Sequence, residues 1–128
     1  MTIDRLDIGH VTILSLGGRL TDGLTEDTNT ALFFRKVVIG LQTSGRSYLI
    51  LVCGKLRYMD SSGIGELVAS FTRSRNLNGD VVIVEPTKKI RDILELAKIR
   101  TVFERFGSVP DALKHFGEIA DRGVSFEI

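Results

Sequence analysis

The sequence predicts a single α/β domain built on a mixed, mainly parallel sheet of about four or five strands with about four helices. Three observations lead there. Residues 48–53 read YLILVC, a nearly continuous apolar run that suits a strand covered on both faces. Residues 62–76 place Ile64, Leu67, Val68 and Phe71 at the spacing i, i+3, i+4, i+7 of an amphipathic helix. Strand-like and helix-like segments then alternate, the order in which crossover helices join parallel strands.

The elements follow in chain order. Residues 3–7 and 11–16 read as two short strands around Ile8-Gly9-His10, with Val11 and Ile13 on one face of the second. Residues 17–23, GGRLTDG, read as a loop. A helix is expected from near Thr25, whose hydroxyl can cap it, with Glu26 and Asp27 in its first turn and Gly45 at its end. After the 48–53 strand and a short loop comes the 62–76 helix, closed by Asn76-Leu77-Asn78-Gly79. Residues 81–84 form a third apolar strand. Pro86-Thr87 opens a helix with Ile90, Ile93, Leu94 and Ala97 on one face. A last strand is expected within 102–106 and a final helix from Pro110. The domain is thus expected over residues 1–117, with 118–128 as a C-terminal extension. In that extension Val124, Phe126 and Ile128 alternate, which suits a short strand, a flexible tail or a segment ordered by a partner.

Composition narrows the function classes. The 128 residues suit one domain, able to bury roughly 65–70% of the surface of its unfolded chain. The net charge of +1 lacks the basic excess of a nucleic-acid binder, so no direct nucleic-acid contact is expected. A single cysteine, Cys53, allows no internal disulfide and fits a reducing cytosol. No basic start and apolar run marks a signal peptide, and no apolar stretch approaches the roughly 20 residues of a membrane span. The expected location is cytoplasmic. His10 and His115 are far apart, and no metal-ligand spacing is present, so neither metal nor cofactor is expected. Ser61 lacks the Gly-x-Ser-x-Gly setting of a hydrolase nucleophile, and no P-loop ending follows the glycine-rich segment, so an enzyme is not expected.

The informative stretch is Tyr58-Met59-Asp60-Ser61-Ser62-Gly63-Ile64-Gly65, which opens the second helix. Asp60 and Ser61 sit where N-cap residues sit, and a helix start leaves about four amide N–H groups unpaired. Asp-Ser-Ser-Gly is by itself a common capping sequence. The same place tolerates an added anion, because unpaired amides and the helix dipole stabilise negative charge by roughly 0.3–1 kcal/mol. A phosphoryl group on Ser61 would add about −1.5 to −2 charges there. Gly63 and Gly65 allow close approach of another chain or loop.

Asp60-Ser61-Ser62-Gly63-Ile64-Gly65 followed by Glu66-Leu67-Val68 resembles the signature of STAS-domain anti-sigma factor antagonists. Further likeness runs through the 48–53 strand, the Asn78-Gly79 turn with the strand after it, the 90–97 helix, and the closing segments at 102–104 and 111–113. The resemblance implies a non-enzymatic switch in which Ser61 is the phosphoacceptor. It implies a serine-kinase anti-sigma factor with a histidine-kinase-like ATPase fold as partner, and a serine phosphatase that resets the switch. The unmodified antagonist would bind the anti-sigma factor, and the phosphorylated form would release it. Asp60, Ser62, Gly63, Gly65, Thr21 and Asp22 are the expected switch-site neighbours. The chain departs from the family pattern at Thr21, where an aspartate is usual and Asp22 follows one place later, and at Val52, where aspartate or asparagine is usual.

Lys55, Arg57, Glu66 and Arg73 are candidate partner contacts. The opposing reading makes the basic ones a solvated face and Glu66 a first-turn complement to the helix dipole. Two other functions use the same fold: a scaffold subunit of a signalling assembly, and a soluble accessory subunit of a lipid or anion transporter.

Overall fold

The computed structural model describes residues 1–25, 27–97 and 103–117. Five strands lie in the order β1-β2-β3-β4-β5, which is also their chain order. They are β1 (Thr2–Ile8), β2 (Val11–Leu20), β3 (Tyr48–Met59), β4 (Asp80–Val84) and β5 (Arg105–Phe106). β1 is antiparallel to β2, and the other three pairings are parallel. Helices α1 (Thr30–Thr43), α2 (Ser61–Asn76) and α3 (Lys88–Leu96) make the crossovers, and α4 (Val109–His115) closes the described chain. The mixed, mainly parallel sheet with four helices is the architecture the sequence predicts.

Period-two alternation divides the strand residues between two cores. Leu14, Leu16, Leu49, Leu51, Val81 and Ile83 pack against Phe34 and Val38 of α1, Leu67 of α2, and Ile90 and Leu94 of α3. Val11, Ile13, Ile50, Val82 and Val84 point the other way, onto Ala112 and Leu113 of α4. The apolar run at 48–53 is therefore buried from both sides, as a central parallel strand must be.

Two strands outrun their expected ends. β2 continues through Gly17-Gly18 to Leu20, and β3 continues through Gly54 to Met59. The ladder between them shifts register between Ser15 and Gly17 and again between Gly18 and Arg19. These glycines sit in bulged strand rather than in loops, and Gly18 takes a φ of 96° that favours glycine. β4 pairs β3 only as far as Val52, so residues 53–59 and the end of β2 project beyond the rest of the parallel sheet as a ribbon. Leu20, Leu56 and Met59 bury its inner side. Val52, the apolar departure from the family pattern, is partly buried at the last rung shared with β4.

α1 starts at Thr30, five residues after the expected cap at Thr25. Asn29 is the N-cap, and its side-chain oxygen accepts from the Leu32 amide at 3.1 Å. Asn caps more strongly than Thr, and Thr30 fixes the start further by bonding to the end of β2. Thr25 instead closes a turn, its carbonyl accepting from the Asn29 amide at 2.8 Å. The remaining helices start on Asp60, Thr87 and Ser108 as caps. β5 covers only Arg105 and Phe106 of the 102–106 segment expected as strand, and Val102 lies outside the described residues. So do Glu26 and the alternating tail at 121–128.

Polar groups fix α1 against α2. The Gln42 amide donates to the Ser70 carbonyl at 3.0 Å and to Ser74 Oγ at 2.8 Å, and Gln42 Oε1 accepts from Arg73 Nε at 3.1 Å. All three of Gln42, Ser70 and Ser74 are buried. Gln42→Leu leaves the buried Ser74 hydroxyl and Arg73 Nε without these partners, so chemical denaturation should show a loss of about 1–3 kcal/mol. Cys53 lies wholly in the core, where burial pushes its thiol up to about 12. The native chain should resist a water-soluble thiol reagent at pH 8 and react stoichiometrically once unfolded in denaturant.

Candidate functional site

The end of the β2–β3 ribbon meets the start of α2, and Asp60 joins them. The Asp60 backbone is extended, as an N-cap requires. Its Oδ1 accepts from the Gly63 amide at 2.9 Å, and its Oδ2 accepts from the Asp22 amide at 2.9 Å. One carboxylate thus caps α2 and also holds the segment leaving β2. The Asp60 amide in turn donates to the Leu20 carbonyl at 3.3 Å.

Ser61 is the first residue of α2 and Ser62 the second, and both are exposed. Of the α2 starting amides, Gly63 is taken by the Asp60 side chain and Ile64 by the Asp60 carbonyl at 3.0 Å. The amides of Ser61 and Ser62 belong to the exposed first turn. Gly63 is buried against β2, and a Cβ there would overlap the Leu20 carbonyl oxygen. Gly65 has no atom within 4 Å of where a Cβ would stand, so its surface is open to an outside group. The two glycines of the motif therefore differ: one admits the body of the protein, the other leaves room beside it.

The segment after β2 is tied at two points. Thr30 Oγ1 donates to the Arg19 carbonyl at 2.6 Å and accepts from the Thr21 amide at 2.8 Å. The Thr21 carbonyl accepts from the Ala31 amide at 2.9 Å. Thr21 thus takes its place through its backbone. Asp22 is exposed, with its amide on Asp60 and its own Oδ1 accepting from the Gly23 amide at 3.0 Å. The structure brings Thr21, Asp22, Asp60, Ser61, Ser62 and Gly63 to one corner.

The candidate partner contacts divide. Lys55 and Arg57 are exposed on the β3 extension leading to this corner. Glu66 is partly exposed in the second turn of α2. Arg73 lies twelve residues from Ser61, about 18 Å along the helix, and its guanidinium is turned into the α1–α2 seam with Nη2 buried. Sequence reasoning did not bring Arg19, Tyr58 and Lys89 together, although they meet around the Tyr58 ring. The Arg19 guanidinium stands 4.7 Å from the Tyr58 ring centre and Lys89 Nζ 5.5 Å from it. These residues come from β2, β3 and α3, and no local pattern joins them. Thr30 was missed for the same reason.

Comparison with known proteins identifies the fold that carries this corner. A STAS-domain family model matches residues 4–112. No curated protein sequence matches the chain. Among solved structures, the unphosphorylated anti-sigma factor antagonist SpoIIAA superposes with a TM-score of 0.72 at 16% identity, covering 98% of this chain and 100% of that one. An anti-sigma factor antagonist from Mycobacterium paratuberculosis gives 0.73 at 18% identity, covering 89% and 92%. The murine anion transporter Slc26a9 gives 0.70 at 18% identity, with 86% of this chain against 18% of the transporter. At these identities the likeness establishes the fold. None of the described helices is long and apolar enough to cross a membrane.

Removing the cap should show in stability. Asp60→Ala is expected to cost about 0.5–2 kcal/mol in chemical denaturation, whereas Asp60→Asn, which still accepts at the helix start, should cost less. Gly63→Ala forces α2 away from Leu20 and should cost about 1–3 kcal/mol.

Proposed function

Because the chain belongs to the STAS-domain family, we propose that it is an anti-sigma factor antagonist, a non-catalytic cytoplasmic binding module switched by phosphorylation of Ser61. The observation that supports this best is the exposed Ser61 hydroxyl at the first turn of α2, beside a cap that also fixes the neighbouring segment. The hydroxyl is open to a kinase, and the amides of the first turn can receive the phosphoryl oxygens. The helix is capped by Asp60, so it does not depend on Ser61 for its start. Modification therefore changes the surface without unfolding the element that bears it.

The physical effect on a partner is large. A phosphoserine carries about −1.5 to −2 charges. At this corner it joins the carboxylates of Asp60 and Asp22. Burying that charge against a surface shaped for a neutral hydroxyl costs several kcal/mol in desolvation and repulsion. Each 1.4 kcal/mol is tenfold in affinity, so one phosphoryl group suffices to release a micromolar complex. The partner in this reading is a serine-kinase anti-sigma factor of the histidine-kinase-like ATPase fold, and a serine phosphatase restores the hydroxyl. The solved structures of SpoIIAA in unphosphorylated and phosphorylated forms, both sharing this fold, support the assignment of a phosphoswitch.

A second reading, a soluble subunit of an anion or lipid transporter, draws on the likeness to part of Slc26a9. The two separate by experiment. Incubation with ATP and the anti-sigma kinase encoded in the same genome should add one phosphoryl group, a mass gain of about 80 Da, and Ser61→Ala should abolish it. Copurification with a transporter subunit, with no mass gain, would favour the second reading.

A further inference from the structure

The sheet has one long free edge. Among the described residues β1 is paired on one side only, with β2, while β5 at the opposite edge spans just two residues. An unpaired strand edge is a row of backbone donors and acceptors ready for another strand. Proteins blunt such an edge with proline, a bulge, brevity or charge. β1 has no proline, and its register with β2 is unbroken over Thr2–Ile8. Its remaining guard is the charge of Asp4, Arg5 and Asp7, and that charge has both signs.

Mixed charge blocks some pairings and favours others. Two copies of one strand that meet antiparallel about a two-fold axis keep the same sheet face upward. Residues directly opposite share a face, so the axis falls between one residue and its own copy. Three such registers pair at least five residues of β1 in each copy: those centred on Asp4, Arg5 and Leu6. Centring on Asp4 sets carboxylate against carboxylate, and centring on Arg5 sets guanidinium against guanidinium. Like charges directly opposite destabilise a pair. Centring on Leu6 sets Leu6 against Leu6, and each Arg5 against Asp7 of the other copy. Asp4 then faces Ile8, which adds no attraction.

The side chains suit that third register. Arg5 and Asp7 already pair along the strand, Nε to Oδ1 at 3.0 Å and Nη2 to Oδ2 at 2.8 Å, and stay 51% and 36% exposed. Thr12 and Arg46 reach Asp7 from the β2 side, away from the free edge. Around the axis the two arginines and two aspartates therefore alternate in sign. On the opposite face Leu6 is 50% exposed, and its copy covers part of it.

We propose that β1 is a self-association edge, pairing antiparallel with β1 of a second copy in the register centred on Leu6, so that two sheets join as one. The proposal does not depend on the reading of Ser61. Five paired residues are few beside the roughly 1,200–2,000 Å² of a stable interface, so a reversible dimer populated at about 0.1–1 mM is expected.

Sedimentation velocity of the full chain from about 10 µM to 1 mM tests it. The expected result is a monomer–dimer equilibrium that Leu6→Lys weakens about tenfold or more. Arg5→Asp alone and Asp7→Arg alone should each stay monomeric, and mixing the two should restore the dimer, because each then meets its opposite charge in the other. Asp7→Arg also loses its bonds to Thr12 and Arg46, so circular dichroism checks its folding, and Leu6→Lys leaves those bonds in place. Register is read with an added cysteine, the native Cys53 being buried. Under mild oxidation Leu6→Cys should give a disulfide-linked dimer and Asp4→Cys should not. The proposal is overturned by a chain that stays monomeric at the highest concentration, by a dimer that Leu6→Lys leaves intact, by folded charge variants that fail to recover on mixing, or by crosslinking through Asp4→Cys in place of Leu6→Cys. None of these results bears on the Ser61 switch.

Discussion

The Asp60 carboxylate is the junction on which this site depends. One oxygen receives the Gly63 amide and fixes the first turn of α2, and the other receives the Asp22 amide and fixes the segment that leaves β2. A neutral cap would satisfy the helix, but the carboxylate makes both bonds charge-assisted and therefore stronger. The serine next in sequence inherits a defined place without spending its own hydroxyl on capping. That division of labour lets Ser61 be exposed and ordered together.

The sheet supplies the platform for this junction. β2 and β3 run past the end of β4, and their bulged ribbon ends in Leu20 and Met59, both buried. The Leu20 carbonyl receives the Asp60 amide and limits residue 63 to glycine. Far from the site, polar contacts hold the other end of the sheet. Arg46 Nε donates to Thr12 Oγ1 at 2.6 Å, and its Nη2 donates to the Gly9 carbonyl at 2.9 Å. Hydrogen bonding from Arg5, assisted by Thr12 and the charge of Arg46, holds the Asp7 carboxyl below its ordinary value. Its contribution is therefore present above the ordinary carboxylate range and is lost as pH falls through the lowered folded value.

Much of this was legible in the sequence, for identifiable reasons. Period-two and period-3.6 patterns located the strands and helices because one-sided and two-sided burial leave different signatures. The Asp60-Ser61-Ser62-Gly63 start was legible because capping is local chemistry. The strand extensions were not, since Gly17, Gly18 and Gly54 carry the same letters in a bulge as in a loop. The start of α1 shifted from Thr25 to Thr30 because a bond across the fold, from Thr30 to the Arg19 carbonyl, decided it. Arg73 looked like a surface cation in sequence, and its engagement with Gln42 needed α1 and α2 to be packed before it could be seen. The Arg19–Tyr58–Lys89 grouping was out of reach for the same reason.

The proposed switch turns on what a dianion at residue 61 does to a complex. The direct measurement is the dissociation constant of the proposed anti-sigma kinase partner for the enzymatically phosphorylated chain beside that for the unmodified chain, at matched ionic strength. A loss of about a hundredfold or more on phosphorylation, reversed by a serine phosphatase, is the expected result. Equal affinities for two forms whose masses differ by a confirmed phosphoryl group at Ser61 would contradict it.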